Sequence, residues 1–364
     1  MRTRAAVFHG PERPFEVREI ELEEPRDDEV LVRMAAVGIC GTDLHSVRGE
    51  WGRPTPMVLG HEGAGVVEEV GSAVSSVRPG DRVVLSWAPA CGECADCRRG
   101  RPAACVPLHR AIGAGTLVDG RTGMSVDGQT LYRGTATGAM AERLVVAERA
   151  ALPLGDDIPL EHAALLGCAA LTGVGAVIFA ARVEAGATAL VVGAGGVGQF
   201  VLQGAGLAGA RTVVCVEPGE ARQEQALRLG AKAAVPPEQL EETMRELLPE
   251  GADYAFDAVG DAETSLLALR WTRSGGTCVI VGLPSTGDRL EIDPAEFSRR
   301  EKWLTGTMYG SEDPAVALPI LLEHVRAGRL DLRSLLGPTF PLDQVNEAVE
   351  ASLAGSPGRV VVTP

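Results

Sequence analysis

Residues 188–217 read T-A-L-V-V-G-A-G-G-V-G-Q-F-V-L-Q-G-A-G-L-A-G-A-R-T-V-V-C-V-E. The first five form a short apolar strand of the kind buried in a parallel sheet. A turn follows at Gly193, Gly195, Gly196, Val197 and Gly198, then an apolar helix to about Ala208. A second strand, T-V-V-C-V, ends in Glu217. In such a unit the first glycine permits the tight turn, the second lets the backbone approach a pyrophosphate, and the third lets helix and strand pack closely. The helix N-terminus then faces the diphosphate charge. A bare G-x-G-x-x-G is weak, but this one has its flanking strand and helix and an acid 19 residues beyond Gly198. Glu217 can accept both ribose hydroxyls of NAD and repels the 2′-phosphate of NADP. Arg222 nearby could serve the same ribose or soften the discrimination against NADP.

Working outward, strands and helices keep alternating. Residues 252–260 and 276–284 read as strand-to-turn units, and 220–230, 238–248 and 262–270 as helices. This alternation predicts a doubly wound parallel sheet. Before residue 150 the pattern changes. Segments 3–9, 28–37 and 58–85 are short strands separated by turns such as Gly71-Ser72 and Pro79-Gly80-Asp81, which predicts a barrel-like, β-rich domain. Residues 107–139 show little periodicity and read as a long surface excursion. Residues 140–153 return to strand. Residues 156–182 read as one helix opened by Asp156 and Asp157. Helices at 313–328 and 343–354 precede a closing strand, R-V-V-V-T, that returns to the first domain. The expected division is 1–169 with 307–364 as the β-rich domain, and 170–306 as the dinucleotide-binding domain.

The β-rich part carries two clusters of metal-binding residue types. G-I-C-G-T-D-L-H (38–45) and L-G-H-E-G (59–63) supply Cys40, Asp43, His61 and Glu62. A catalytic zinc takes three protein ligands and keeps one position open. Cys40 and His61 are two ligands, and Cys168 in L-L-G-C-A-A-L-T-G is the best third. Each residue alone reads as a core thiol or a hydrogen-bonded imidazole, so the weight lies in the combination. Cys91, Cys94, Cys97 and Cys105 are spaced C-x2-C-x2-C-x7-C. Four thiolates on so short a loop wrap a tetrahedral ion and close it to substrate, which predicts a structural zinc. A disulfide pair is the rival reading, and an iron–sulfur cluster a weaker one because its usual spacings differ. Cys215 and Cys278 lie in buried strand patterns and read as core.

A formal net charge of -15 argues against nucleic acid or an anionic membrane as the main partner. No run of 18 apolar residues is present, so no membrane span is expected. Residues 1–10 read as a strand rather than a secretory signal. With clustered rather than disulfide-like cysteines, a reducing, cytoplasmic setting is expected.

The motifs G-H-E-G-A-G-V-V-E (60–68), the four-Cys loop, G-C-A-A-L-T-G (167–173) and G-A-G-G-V-G (193–198) resemble those of the zinc-containing, medium-chain alcohol dehydrogenase family, and the likeness spans nearly the whole chain. The resemblance implies a GroES-like catalytic domain beside a Rossmann domain, an active site in the cleft between them, and a homodimer or homotetramer. It implies a catalytic zinc on Cys40, His61 and Cys168, with Glu62 behind the metal and Asp43 holding His61. Cys91, Cys94, Cys97 and Cys105 would hold a structural zinc. Thr42 would take the alcohol proton and His45 would pass it on through the cofactor ribose. Glu217, Arg222, Val259 and Val281 would contact NAD, Arg359 the pyrophosphate, and Trp87 the substrate.

The expected activity is NAD-dependent oxidation of an alcohol, or reduction of the aldehyde or ketone. One departure stands out. Gly41 occupies a position where the family often has Arg or His on the pyrophosphate. C-R-R-G-R-P (97–102) and M-Y-G-S-E-D (308–313) resemble actinobacterial members, including mycothiol-dependent formaldehyde dehydrogenases, which makes that activity the main alternative. A non-catalytic cofactor-binding protein is the second alternative, and the full set Cys40, His61, Cys168, Thr42 and His45 argues against it.

Overall fold

The computed structural model describes all 364 residues. The chain divides into two compact units: Met1–Cys168 with Asp313–Leu322 and Leu332–Pro364, and Ala169–Glu312 with Glu323–Asp331.

The first unit is built on two sheets. One has the strand order Gln129–Thr130, Met124–Val126, Glu16–Leu22, Arg2–Phe8, Met57–Val58, Tyr132–Arg133. The other runs Ala151–Leu154, Arg82–Leu85, Glu62–Val70, Glu29–Gly38, Arg359–Thr363, Leu336–Pro341, with Arg143–Ala147 also paired to Glu29–Gly38. The strand Glu29–Gly38 is central because V-L-V-R-M-A-A-V is apolar on both faces, and all but two of its residues are buried. The closing strand joins this sheet, with Val361 opposite Gly38 and Val362 opposite Val37. Val, Leu, Ile, Met and Ala from both sheets form one core that includes Val7, Ile20, Val32, Val58, Leu85 and Val362.

The second unit carries a six-stranded, all-parallel sheet in the order Ala233–Val235, Thr212–Val216, Thr188–Val192, Ala252–Asp257, Thr272–Ile280, Trp303–Gly306. Numbered along the chain this is 3-2-1-4-5-6, the doubly wound order of dinucleotide-binding sheets. Helices Gly196–Leu207, Glu220–Arg228, Leu240–Leu247 and Ala262–Trp271 connect the strands. Their buried residues close apolar clusters around Val191 and Phe256 in one case and around Leu190 and Ala255 in the other.

Three expectations need correction. Residues 307–312 and 323–331 cluster with the parallel-sheet unit. The Thr307 amide continues that sheet by donating to Ile280 O (3.0 Å), and Asp331 is tied to Gln203 by two hydrogen bonds of 2.6 and 3.0 Å. The segment 156–182 is not one helix. It is Leu160–Ala163, a tighter turn to Gly167, a break at Cys168 (φ -146°, ψ -68°), then Ala169–Gly175 and a wider π-type turn to Ala181. The excursion 107–139 is structured: it holds the helix Val106–Ala114, ended by left-handed Gly115, and three short strands. No single helix is long and apolar enough to cross a membrane.

Candidate metal centres and dinucleotide turn

Cys40 caps the helix Gly41–Val47 at the end of strand Glu29–Gly38. Asp43, three residues on, folds its carboxylate back. It accepts the Cys40 amide (3.0 Å) and the Gly60 amide (3.1 Å), and lies 3.3 Å from His61 Nδ1. One buried acid thus fixes the helix start, the turn before His61 and the imidazole itself. Glu62 opens the next strand, and the backbone break at Cys168 brings that thiol in from the far side of the sequence. One donor atom from each of Cys40, His61, Glu62 and Cys168 lies within 4.8 Å of the others, and all four residues are buried.

The four groups bias one another's protonation. The hydrogen bond from Cys168 holds the Cys40 thiol well below its ordinary value, against its burial. The same bond, with burial, pushes Cys168 well above. Burial works against a charged His61, but Asp43 outweighs it and the ring is raised. Burial pushes Glu62 up to about 8. Four buried donors crowd charge that only shared protons or a cation can neutralise. Two thiols and an imidazole are the donor types of a zinc site with an open position, so the residues fit that ion. With Nδ1 turned to Asp43, His61 presents Nε2 as the ligand atom.

Arg359 stands beside this cluster. Its Nε lies 3.0 Å from the Glu62 carboxylate, and it donates to Ile39 O (2.9 Å). Burial opposes its charge, yet Glu62 holds the guanidinium above its ordinary value. The side chain is therefore engaged behind the metal cluster. Gly38 makes this pairing sterically possible: a Cβ there would sit 2.3 Å from Glu62 Oε2.

Thr42 and His45 lie on the short helix after Cys40. The His45 ring stacks on Trp51 (centroids 4.5 Å apart, 20° between planes), and its Nδ1 meets the Glu50 carboxylate. Trp87 is buried and edge-on to His61 at 6.1 Å, so it borders the cluster.

Cys91, Cys94, Cys97 and Cys105 converge with all four Sγ atoms within 4.8 Å. The Cys94 amide donates to Cys91 Sγ and the Cys91 amide to Cys105 Sγ, both at 3.3 Å. All eight cysteines of the chain are free thiols, so the disulfide reading of this loop is not realised. Hydrogen bonds from Cys97 hold Cys94 down to about 6, while burial pushes Cys97 up to about 12. An all-sulfur shell of this kind fits a structural zinc.

In the parallel-sheet unit, Gly193 turns with φ +88° and Gly195 caps the helix Gly196–Leu207. A Cβ on Gly198 would lie 1.9 Å from Gly193 O, whereas one on Gly195 would meet nothing within 4 Å. The first explains the close helix–strand packing, and the second leaves the helix N-terminus open to a diphosphate. Glu217 is buried, and its two carboxylate oxygens accept the Ala194 (2.8 Å) and Gly219 (3.0 Å) amides. Arg222 Nη1 stands 3.9 Å from it. Val259 is exposed beside the turn and Val281 is buried. Sequence reasoning missed Asp257, a fully buried acid that accepts the Val259 and Gly260 amides (both 3.0 Å) and the Ser265 hydroxyl (2.5 Å). Its place at the end of a predicted strand was the available signal. Glu50 and Trp51, which contact His45, and Arg53, which sits over Trp51, were also missed; only their position just past His45 marked them.

A doubly wound sheet with an open glycine turn, and a buried thiol–imidazole cluster on a β-rich unit, define a zinc-type dehydrogenase. The family descriptions agree: "Alcohol dehydrogenase GroES-like domain" matches residues 26–156 and "Zinc-binding dehydrogenase" matches 196–323. The chain belongs to the zinc-containing alcohol dehydrogenase family of medium-chain dehydrogenases. It is 34% identical over 368 residues to S-(hydroxymethyl)glutathione dehydrogenase of Escherichia coli O1:K1, covering 100% of both chains. The crystal structure of benzyl alcohol dehydrogenase from Acinetobacter calcoaceticus matches with TM-score 0.94 at 28% identity, over 100% of this chain and 99% of that one. A Sinorhizobium meliloti structure described as a zinc-binding dehydrogenase bound to NADP matches with TM-score 0.83 at 28% identity, over 100% of each.

Proposed function

We propose that the protein is an NAD-dependent dehydrogenase that interconverts a small alcohol and its aldehyde or ketone. The observation that carries this reading is the buried Cys40–His61–Glu62–Cys168 cluster, with Thr42 and His45 on the helix that Cys40 caps. Zinc at Cys40, His61 and Cys168 supplies Lewis acidity toward an alcohol or carbonyl oxygen, and nicotinamide supplies or accepts the hydride. The chain's own residues do the rest. Asp43 fixes the His61 ring and the Cys40 backbone, so two ligands keep their direction. Arg359 balances the Glu62 carboxylate, which stands ready beside the ligands. The Thr42 hydroxyl accepts the alcohol proton, and His45, braced between Trp51 and Glu50, carries it outward. Glu217 supports NAD over NADP: it is a carboxylate at the end of the second strand, and each oxygen has a lone pair beyond its amide bond. The eight free thiols support a reducing, cytoplasmic setting, and the family supports a homodimer or homotetramer.

The 34% identity to S-(hydroxymethyl)glutathione dehydrogenase favours a second reading, thiol-dependent formaldehyde oxidation. One experiment separates the readings. NADH formation is followed on zinc-loaded protein with a panel of alcohols, and with formaldehyde in the presence and absence of glutathione or mycothiol. Turnover of alcohols without thiol is the expected result. Turnover of formaldehyde only with thiol moves the assignment to the second reading. Retention of zinc and NAD with no turnover of any of these compounds points to a narrow substrate outside the panel or to a cofactor-binding protein without this chemistry.

A further inference from the structure

The segment after His45 holds a cation without an ion-pair partner. Arg53 lies on the segment between the helix Gly41–Val47 and the strand Met57–Val58, and is partly buried. Its guanidinium sits over the Trp51 ring, 4.9 Å from the centroid, and Trp51 in turn stacks on His45. Nη1 donates to Ile112 O (3.1 Å), near the end of the helix Val106–Ala114. No carboxylate lies within 4.0 Å of it, although the chain pairs Arg2, Arg4, Arg18, Arg121 and many other arginines on its surface with acids. One hydrogen bond leaves most of its five N–H donors without a protein acceptor. Burial lowers the guanidinium from its ordinary value, with Asp43, the acid that holds His61, pulling the other way. Through Trp51 and His45 the guanidinium is linked to the helix that Cys40 caps.

Two contacts fix this guanidinium in place without satisfying it. The aromatic face holds it from one side and the Ile112 carbonyl anchors one nitrogen, while Pro54, next in the chain, stands near Gly115 at the end of the same helix. A planar fork held in this way and lacking an acid partner matches a carboxylate bidentately. We propose that Arg53 is a substrate-recognition residue, and that the preferred substrate is an alcohol or aldehyde carrying a carboxylate, its flat portion resting near Trp51. This rests on the dehydrogenase reading above and narrows its substrate class.

The test compares benzyl alcohol with 4-(hydroxymethyl)benzoate on zinc-loaded wild-type protein, Arg53→Gln and Arg53→Lys, with benzoate binding measured by calorimetry in parallel. Wild-type protein is expected to favour the carboxylate substrate in kcat/KM. Arg53→Gln is expected to lower the ratio of carboxylate to neutral kcat/KM by about tenfold to hundredfold, the range for a charge-assisted hydrogen bond. The loss falls mainly in KM. Arg53→Lys, which keeps the charge and loses the fork, falls between. Benzoate binding weakens in the same order. A wild-type preference for the neutral alcohol, or an unchanged ratio in a folded Arg53→Gln protein, overturns the proposal. If neither alcohol is oxidised, the benzoate titration still decides: benzoate binding that Arg53→Gln does not weaken overturns the proposal.

Discussion

Asp43 shows how much one side chain in this protein does. Its two oxygens receive the Cys40 and Gly60 amides and face His61, and it is only 2% exposed. That Asp43 holds His61 was legible through the family resemblance. That the same acid reaches the turn before His61 was not, since this depends on strand Glu62–Val70 lying beside strand Glu29–Gly38. Replacing Asp43 by Ala leaves two buried amides without an acceptor and frees the imidazole. Zinc affinity is expected to fall about tenfold to hundredfold, the usual cost of losing the partner behind a metal-bound histidine. Chelator competition with metal quantified on the protein measures this. Unchanged affinity would reduce Asp43 to a helix cap.

At the scale of elements, the excursion after the four-Cys loop is where sequence reading fell shortest. The helix Val106–Ala114 carries its signals, Pro107 in the first turn and Gly115 in the left-handed position after the last. Only Leu108 and Ala111 of it are buried, so the period of a helix barely shows. The opposite failure hid the break at Cys168. Residues 163–177 are apolar on every side and buried throughout, so no face distinguishes one helix from two.

What holds the excursion is also invisible in sequence. Arg133 is fully buried, donates from Nε to Thr122 O (2.5 Å) and from Nη1 to Thr137 O (2.9 Å) and Val145 O (3.0 Å), and so ties three segments together. Burial lowers its guanidinium to about 10, still protonated at neutral pH. Arg133→Met keeps most of the volume and removes all three bonds. A loss of about 3 kcal/mol is expected from the unsatisfied carbonyls, which is roughly 10 °C in Tm for a unit of this size. A thermal melt reads it, and a shift near zero would mean that water replaces the guanidinium.

At the scale of the molecule, the parallel sheet leaves one edge unfinished. Strand Trp303–Gly306 pairs with Thr272–Ile280 on one side only, and Trp303 is 69% exposed, the most exposed large apolar side chain in the protein. The doubly wound order of this sheet was readable from the alternation of strands and helices, but its last strand was not, because W-L-T-G is short and has one partly buried residue. Proteins blunt open edges with charge, proline or a cover, and here Lys302 beside the tryptophan is buried, donating to Leu269 O (2.9 Å). An open edge topped by an indole is protected if a second copy lies against it, which agrees with the proposed homo-oligomer. Light scattering is expected to give the wild-type chain a mass of at least two copies, and Trp303→Lys is expected to shift it toward one copy at micromolar concentration. A wild-type mass of one copy refutes the oligomer. A variant that keeps the wild-type mass moves the interface away from this edge.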